Sequence, residues 1–342
     1  MSKKKNSPIY IFAEALKLYF SNFDKFVKYM TFPVLGQFLG LLLTLVLSYF
    51  YAINLPNLAK KIPALNDFST LLLFAILICL PGLTIFLKAF WEYLVAYGAV
   101  NSMLENMIKS GKVYDFDAHT ELIKRRTVSF VGLWALVGLF SLLSLIPFFW
   151  VPCAVFAIFF VLIFQVFTFE PEQTPLGCAK RSLELVKGHF ASTFLLIALV
   201  GALTYFLIPQ IAKVFCDYTH ITLALSNLTK PFIMLLPIAE WNNILAYIYL
   251  PPLKLDEVAM FVVSSFIAQI FIQYTLPLRS ILCGVWYKSL NGGKLGVNTD
   301  SKKKSKSKRP SDKLMEESHK KLTSKKLDRN ILKRAMEKDS ES

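Results

Sequence analysis

Apolar runs long enough for membrane helices alternate along the chain with short charged stretches. They cover roughly 29–53, 69–100, 127–146, 150–169, 191–211 and 258–278. At 1.5 Å per residue, about 20 residues cross a ~30 Å hydrocarbon core, so each run is read as one span. The run 69–100 exceeds one crossing and is expected to tilt or kink at Pro81–Gly82. The apolar stretch Thr127–Phe169 holds two crossings, separated by a hairpin at IPFFWVP, Ile146–Pro152. Residues 213–257 mix apolar pieces with Lys213, Asp217, Lys230, Glu240, Pro231, Pro237, Pro251 and Pro252. They read as a long external loop with interfacial or re-entrant segments, and an eight-span alternative splits them into two crossings. The fold expected is all-α: a transmembrane bundle of about six spans.

Two stretches break the apolar pattern with helical amphipathicity. Residues 174–188 open on Thr174 and Pro175, an N-cap followed by proline at the first helical position, and close near Gly188. Leu176, Ala179, Leu183 and Val186 recur at helical spacing, with Lys180, Arg181, Glu184 and Lys187 mostly off that stripe. Residues 8–21 behave likewise, with Ile9, Phe12, Leu16 and Tyr19 on one face. Both are expected to lie in the membrane interface, apolar face toward lipid. Leu16, Leu18 and Phe23 recur as Leu183, Leu185 and Phe190, 167 residues later, which makes an internal duplication one reading of the chain.

Charge then divides the chain in two. Residues 290–342 carry 16 Lys/Arg against 8 Asp/Glu, more than half of the net +15, so 1–289 is read as the membrane domain and 290–342 as a basic tail. Within the tail, Lys302, Lys303, Lys304, Lys306, Lys308 and Arg309 form a Ser-spaced run without apolar residues, expected to be disordered. A weakly amphipathic helix is expected beyond it. Basic residues concentrate in the N-terminus, the 101–126 segment, 170–190 and the tail, which places both termini in the cytoplasm of a bacterial inner membrane. The basic start, interrupted by Glu14 and Asp24, does not read as a cleaved signal.

Candidate chemistry is sparse. The five cysteines lie in or beside apolar segments without CxxC spacing, and His119, His189, His220 and His319 form no metal-ligand pattern. Nucleotide-binding and nucleophile-elbow motifs are absent, so neither an enzyme nor a cofactor is expected. Gln37, Gln165, Gln269 and Gln273, with Ser265 on the face of the last two, are polar positions inside spans. They serve either as interhelical packing contacts or as the lining of a polar cavity. Gly36 and Gly40 form a GxxxG pair suited to close helix approach. Lys180, Arg181, Lys187 and His189, together with the tail cations, are candidate contacts for anionic head groups.

The segment Phe169–Leu199 carries Glu170, Pro171 and Glu172, then Ala179, Lys180, Ser182, Leu185, Val186, Lys187, Gly188 and Phe190 before an apolar span. This pattern resembles a recurring element of a bacterial membrane superfamily that includes the integral membrane domain of some glycerophosphoryl diester phosphodiesterases. The resemblance implies a membrane module and no catalytic residue, since the attached phosphodiesterase barrel has no room in this chain. The leading expectation is a membrane-organising or interaction module contacting anionic lipid. The alternatives are a transporter or channel using the glutamine face, and a membrane-insertion accessory touching a protein partner or the ribosome through 300–342.

Overall fold

A computed structural model describes residues 7–293 except 114 and 235; Lys302–Arg309 and the rest of 294–342 lie outside the described residues. The described residues form helices without strands. The first are α1 (Pro8–Phe20), α2 (Phe23–Lys61), α3 (Phe68–Ser110), α4 (Phe116–Lys124) and α5 (Thr127–Leu143). A 3₁₀ turn, Pro147–Phe149, leads to α6 (Trp150–Phe159), α7 (Ile163–Phe169) and α8 (Pro175–Val186). Next, α9 (Phe190–Gly201) passes through a π-helical turn, Ala202–Leu207, into α10 (Ile208–Tyr218). The chain continues with α11 (Ile221–Ile233), α12 (Ile238–Tyr247), α13 (Leu255–Tyr274) and α14 (Leu276–Leu290). Among the described residues five helical segments are long and apolar enough to cross a membrane, or up to seven if two bent pairs each count as one span.

α3 shows how the molecule is divided. Its 43 residues run about 65 Å, twice a bilayer core. Over the first half Leu72, Leu73, Ile76, Leu77, Leu80, Leu87 and Phe90 are exposed. From Val95 onward, Val95, Ala96, Ala99, Val100, Met103, Leu104 and Met107 are wholly buried. An exposed apolar surface that long does not persist in water, so the first half meets lipid. The second half is the axis of a basal core built by α1, α4, α7 and α14, with contributions from α5, α8 and α9.

α2 and α3 form the tightest pair, because three glycines let their backbones approach. A Cβ on Gly36 would stand 2.8 Å from Ala89 Cβ, and one on Gly40 would stand 2.7 Å from Phe86 Cα and 2.8 Å from the Gly82 carbonyl. The GxxxG pair of the sequence therefore meets a third glycine across the interface.

Several boundaries differ from expectation, each for a local reason. α3 runs unbroken through Pro81 and past residue 100, and the polar 101–126 segment contains its last turns and α4. The expected long loop at 213–257 is largely helical, as α10, α11 and α12, the last two bent by 93°. Most of its prolines sit outside the helices, Pro237 at the N-cap of α12 and Pro251 and Pro252 in the connection to α13. Pro231 instead lies inside α11, two residues before its end, and removes one ladder bond there. The last expected span, 258–278, lies within a longer candidate span, Leu255–Leu290, whose helix is interrupted at Thr275. Pro277 has no N–H to continue the ladder, and α14 restarts at Leu276 as a separate, heavily buried helix.

Candidate functional site

The polar residues of the basal core converge where α7 ends. Glu170 terminates a 43-residue stretch without a charge, and its side chain is only 6% exposed. Its Oε1 accepts from Arg181 Nε at 3.1 Å and from Tyr287 Oη at 2.9 Å, while Oε2 accepts from Gln173 Nε2 at 3.4 Å. Arg181 also donates to Asn291 Oδ1 at 3.3 Å and reaches Glu184 at 3.5 Å. Burial works against the Arg181 charge, but the hydrogen bond and charge of Glu170 outweigh it and hold its pKa above the usual arginine value. A buried carboxylate is thus paired and hydrogen-bonded, the condition for keeping it charged. The clamp ties α7, α8 and the end of α14 together.

A second cation closes the same end. Arg126 donates to the Phe167 carbonyl at 2.6 Å and the Pro171 carbonyl at 3.0 Å, with its guanidinium 3.9 Å from the Phe167 ring centre. It satisfies carbonyls left open where α7 stops. Burial draws the Arg126 pKa below its ordinary value. Beside it, burial pushes the Cys178 thiol up to about 11.

α8 is held in place by its local chemistry. Thr174 Oγ1 accepts from the Gly177 N–H at 3.1 Å, and Pro175 needs no donor at the first position. At the other end Gly188 takes φ +87°, letting the His189 N–H reach the Val186 carbonyl at 2.8 Å. Ser182, wholly buried, donates to the Phe159 carbonyl at 2.7 Å and accepts from the Leu162 N–H at 3.2 Å. It bridges the break between α6 and α7.

The buried face of α8 is Cys178, Ala179, Ser182, Leu185 and Val186, and it packs on protein. That corrects the expected lipid-facing stripe, in which Leu176 now stands 72% exposed. The stripe missed because a face built for α7 and a face built for lipid are both apolar. α1 is likewise buried along Ile11, Ala15 and Tyr19 inside the basal core, with Ile9 exposed. Of the head-group candidates, Lys180, Lys187 and His189 are exposed, whereas Arg181 is engaged by Glu170.

The intramembrane polar residues do not form one face. Gln37 donates to the Pro33 carbonyl of its own helix at 2.7 Å. Gln165 Nε2 donates to Asn101 Oδ1 at 3.1 Å, and that oxygen also accepts from Ser280 at 2.7 Å. Gln273 is buried with its carbonyl oxygen unpartnered, while Ser265 and Gln269 are exposed. Among the described residues no hydrogen bond joins any two of the four glutamines. Asn101, the partner of Gln165, and Ser280, which shares that oxygen, were missed by sequence reasoning. They lay just past the ends of expected spans, Asn101 at the start of the polar 101–126 segment and Ser280 after 258–278. Among the described residues no group of His, Cys, Asp or Glu is arranged to hold a metal ion.

Comparison with protein-family models, curated proteins and solved structures finds no match to this chain. The geometry alone therefore defines the site. It comprises a clamped amphipathic helix, a buried Glu–Arg–Tyr knot behind it, and two lysines and a histidine in front.

Proposed function

We propose that the protein is a non-enzymatic, multi-pass module of the bacterial cytoplasmic membrane that presents a fixed cationic face to anionic lipid. The observation that carries this reading is α8, clamped through Glu170 and turning Lys180, Lys187 and His189 outward beside the lipid-exposed helices. A rigid mount spares much of the ordering entropy a flexible basic segment loses on binding. Both termini lie in the cytoplasm in this reading, and the basic run 302–309 adds a second, independent contact with the same leaflet. The resemblance of Phe169–Leu199 to the membrane domain of glycerophosphoryl diester phosphodiesterases agrees with a membrane module lacking catalytic residues.

The test uses full-length protein in nanodiscs, with a dansyl label at Leu176→Cys and brominated phosphatidylglycerol or phosphatidylcholine as quencher. Each lysine near an anionic surface contributes about 1 kcal/mol, so K180Q/K187Q is expected to lower the preference for phosphatidylglycerol by about thirtyfold at low salt. Equal quenching by the two lipids in the wild type would overturn the reading. Deleting 300–342 is expected to leave the preference at position 176 in place.

A further inference from the structure

The basal core ends toward the lipid-facing half at a cation that the Glu170 clamp does not use. Arg279, one turn into α14, donates through Nη1 to Tyr205 Oη, and through Nη2 to the Ile272 carbonyl at 3.1 Å and Tyr93 Oη at 3.4 Å. The guanidinium carbon lies 5.0 Å from the Tyr205 ring centre. Its Nε is buried without any partner. Among the described residues no carboxylate pairs with it: Glu92, next to Tyr93, is taken by Lys124 at 3.0 Å. Two phenols and a carbonyl solvate the half-buried Arg279 only in part, and they bring it no counter-charge.

The level of this cation along the bundle is read from its contact with α3. Arg279 lies within the candidate span Leu255–Leu290, five residues past the end of α13. On α3 the exposed apolar surface gives way to charge at Lys88 and Glu92, beside Tyr93, the residue whose phenol Arg279 contacts. That contact puts Arg279 level with the place where α3 changes from apolar to charged. Its open side lies beside Tyr205, 48% exposed, and next to that stands Phe206, 70% exposed. The backbone there is a π-helical turn, a distortion frequently found at functional sites.

The geometry points to a phospholipid-binding site in which Arg279 and Tyr205 hold the phosphate of a lipid head group while its acyl chains lie along Phe206. A phosphate supplies the missing anion and accepts the remaining Nη1 hydrogen, on the exposed side, in a charge-assisted bond. The inference deepens the lipid-engaging reading and rests on it only in that both need an anionic phospholipid. It uses a different cation, so the two can fail separately.

The experiment takes the full chain in detergent and measures phospholipid retention by native mass spectrometry and melting temperature with three additives: phosphatidylglycerol, diacylglycerol and inorganic phosphate. For the wild type, phosphatidylglycerol is expected to raise the melting temperature and the other two to leave it unchanged. R279Q is expected to lose that rise and to retain about tenfold less phosphatidylglycerol, as loss of a charged hydrogen-bonding partner implies. K180Q/K187Q is expected to keep the retained lipid, even where its loss of surface preference tests the α8 reading. Y205F keeps the charge and removes one phenol, and is expected to weaken retention several-fold; it decides the matter should R279Q not fold. Unchanged retention in a folded R279Q, or in Y205F when R279Q does not fold, overturns the proposal. So does an equal rise with diacylglycerol, which removes the phosphate, or with inorganic phosphate, which makes the ligand a soluble anion.

Discussion

Replacing Glu170 by alanine tests whether the basal core depends on its buried carboxylate. The substitution removes the acceptor from Tyr287, which is wholly buried and whose hydroxyl otherwise meets only the Asn291 amide, a donor, at 3.4 Å. A buried donor without a partner costs about 1–3 kcal/mol. The Arg181 side chain is 31% exposed, so its lost ion pair is discounted for solvent to about 1 kcal/mol or less. The total is about 1–4 kcal/mol, or a melting temperature lower by about 3–12 °C on the scale of soluble domains. Y287F removes the stranded hydroxyl, so E170A/Y287F is expected to lose less than the two single variants together, with a coupling of about 1 kcal/mol. E170Q keeps an acceptor for Tyr287 and should fall between wild type and E170A. Fluorescence-detected size exclusion after heating reads all four proteins. Strictly additive losses would show that Glu170 and Tyr287 do not act together, and an E170A melting point within about 1 °C of wild type that the clamp carries no stability.

Other expectations follow from single contacts. G40L drives a side chain into the Phe86 backbone and Gly82 carbonyl of α3, and should cost at least the ~1–3 kcal/mol of an overpacked core; normal expression and melting would refute the close pair. The Cys178 thiol, buried and with its pKa raised from 9.0 to about 11, should resist maleimide at pH 8 in native protein and react once unfolded, read by mass shift. Because the folded state holds that proton more tightly, the contribution to stability is full below pH 9.0 and is lost as pH rises through about 11.

What could be read from the sequence was what local chemistry decides. Thr174, Pro175 and Gly188 mark the ends of α8 because capping is settled within four residues. Gly36 and Gly40 announced a close helix pair because small residues have few other uses there. The direction of each apolar face was not legible, since Leu185 against α7 and Leu176 toward the surroundings are chemically alike. α14 was hidden for a related reason. Pro277, Arg279 and Lys288 read as the exit from a last span, whereas the helix they occupy is buried by partners more than a hundred residues away, including Asn101 and Tyr97. The Glu170 clamp has the same character: its position at the end of a charge-free run was visible, but Tyr287 as its partner was not.

The offset of 167 residues gains weight from positions that sequence identity alone did not single out. It aligns Ser7 with Thr174 at the N-caps and Pro8 with Pro175 at the first helical positions of α1 and α8. It aligns buried Ile11, Ala15 and Tyr19 with buried Cys178, Ser182 and Val186, and Phe23 with Phe190 as the first residues of the following helices. The residues before those phenylalanines share a backbone conformation as well, Asn22 at φ −130°, ψ 20° and His189 at φ −122°, ψ 19°. A shared unit of short helix, turn of two or three residues and apolar helix accounts for all of these at once, whereas chance similarity has to explain each separately. The two copies differ in one testable respect. Thr174 caps the Gly177 N–H, while Ser7 makes no side-chain cap bond, its helix being fixed by burial along Ile11, Ala15 and Tyr19. T174A should therefore cost about 1 kcal/mol and S7A close to nothing, measured by melting of the full chain. Equal losses would mean that the caps act alike in both units and that burial does not hold α1 by itself.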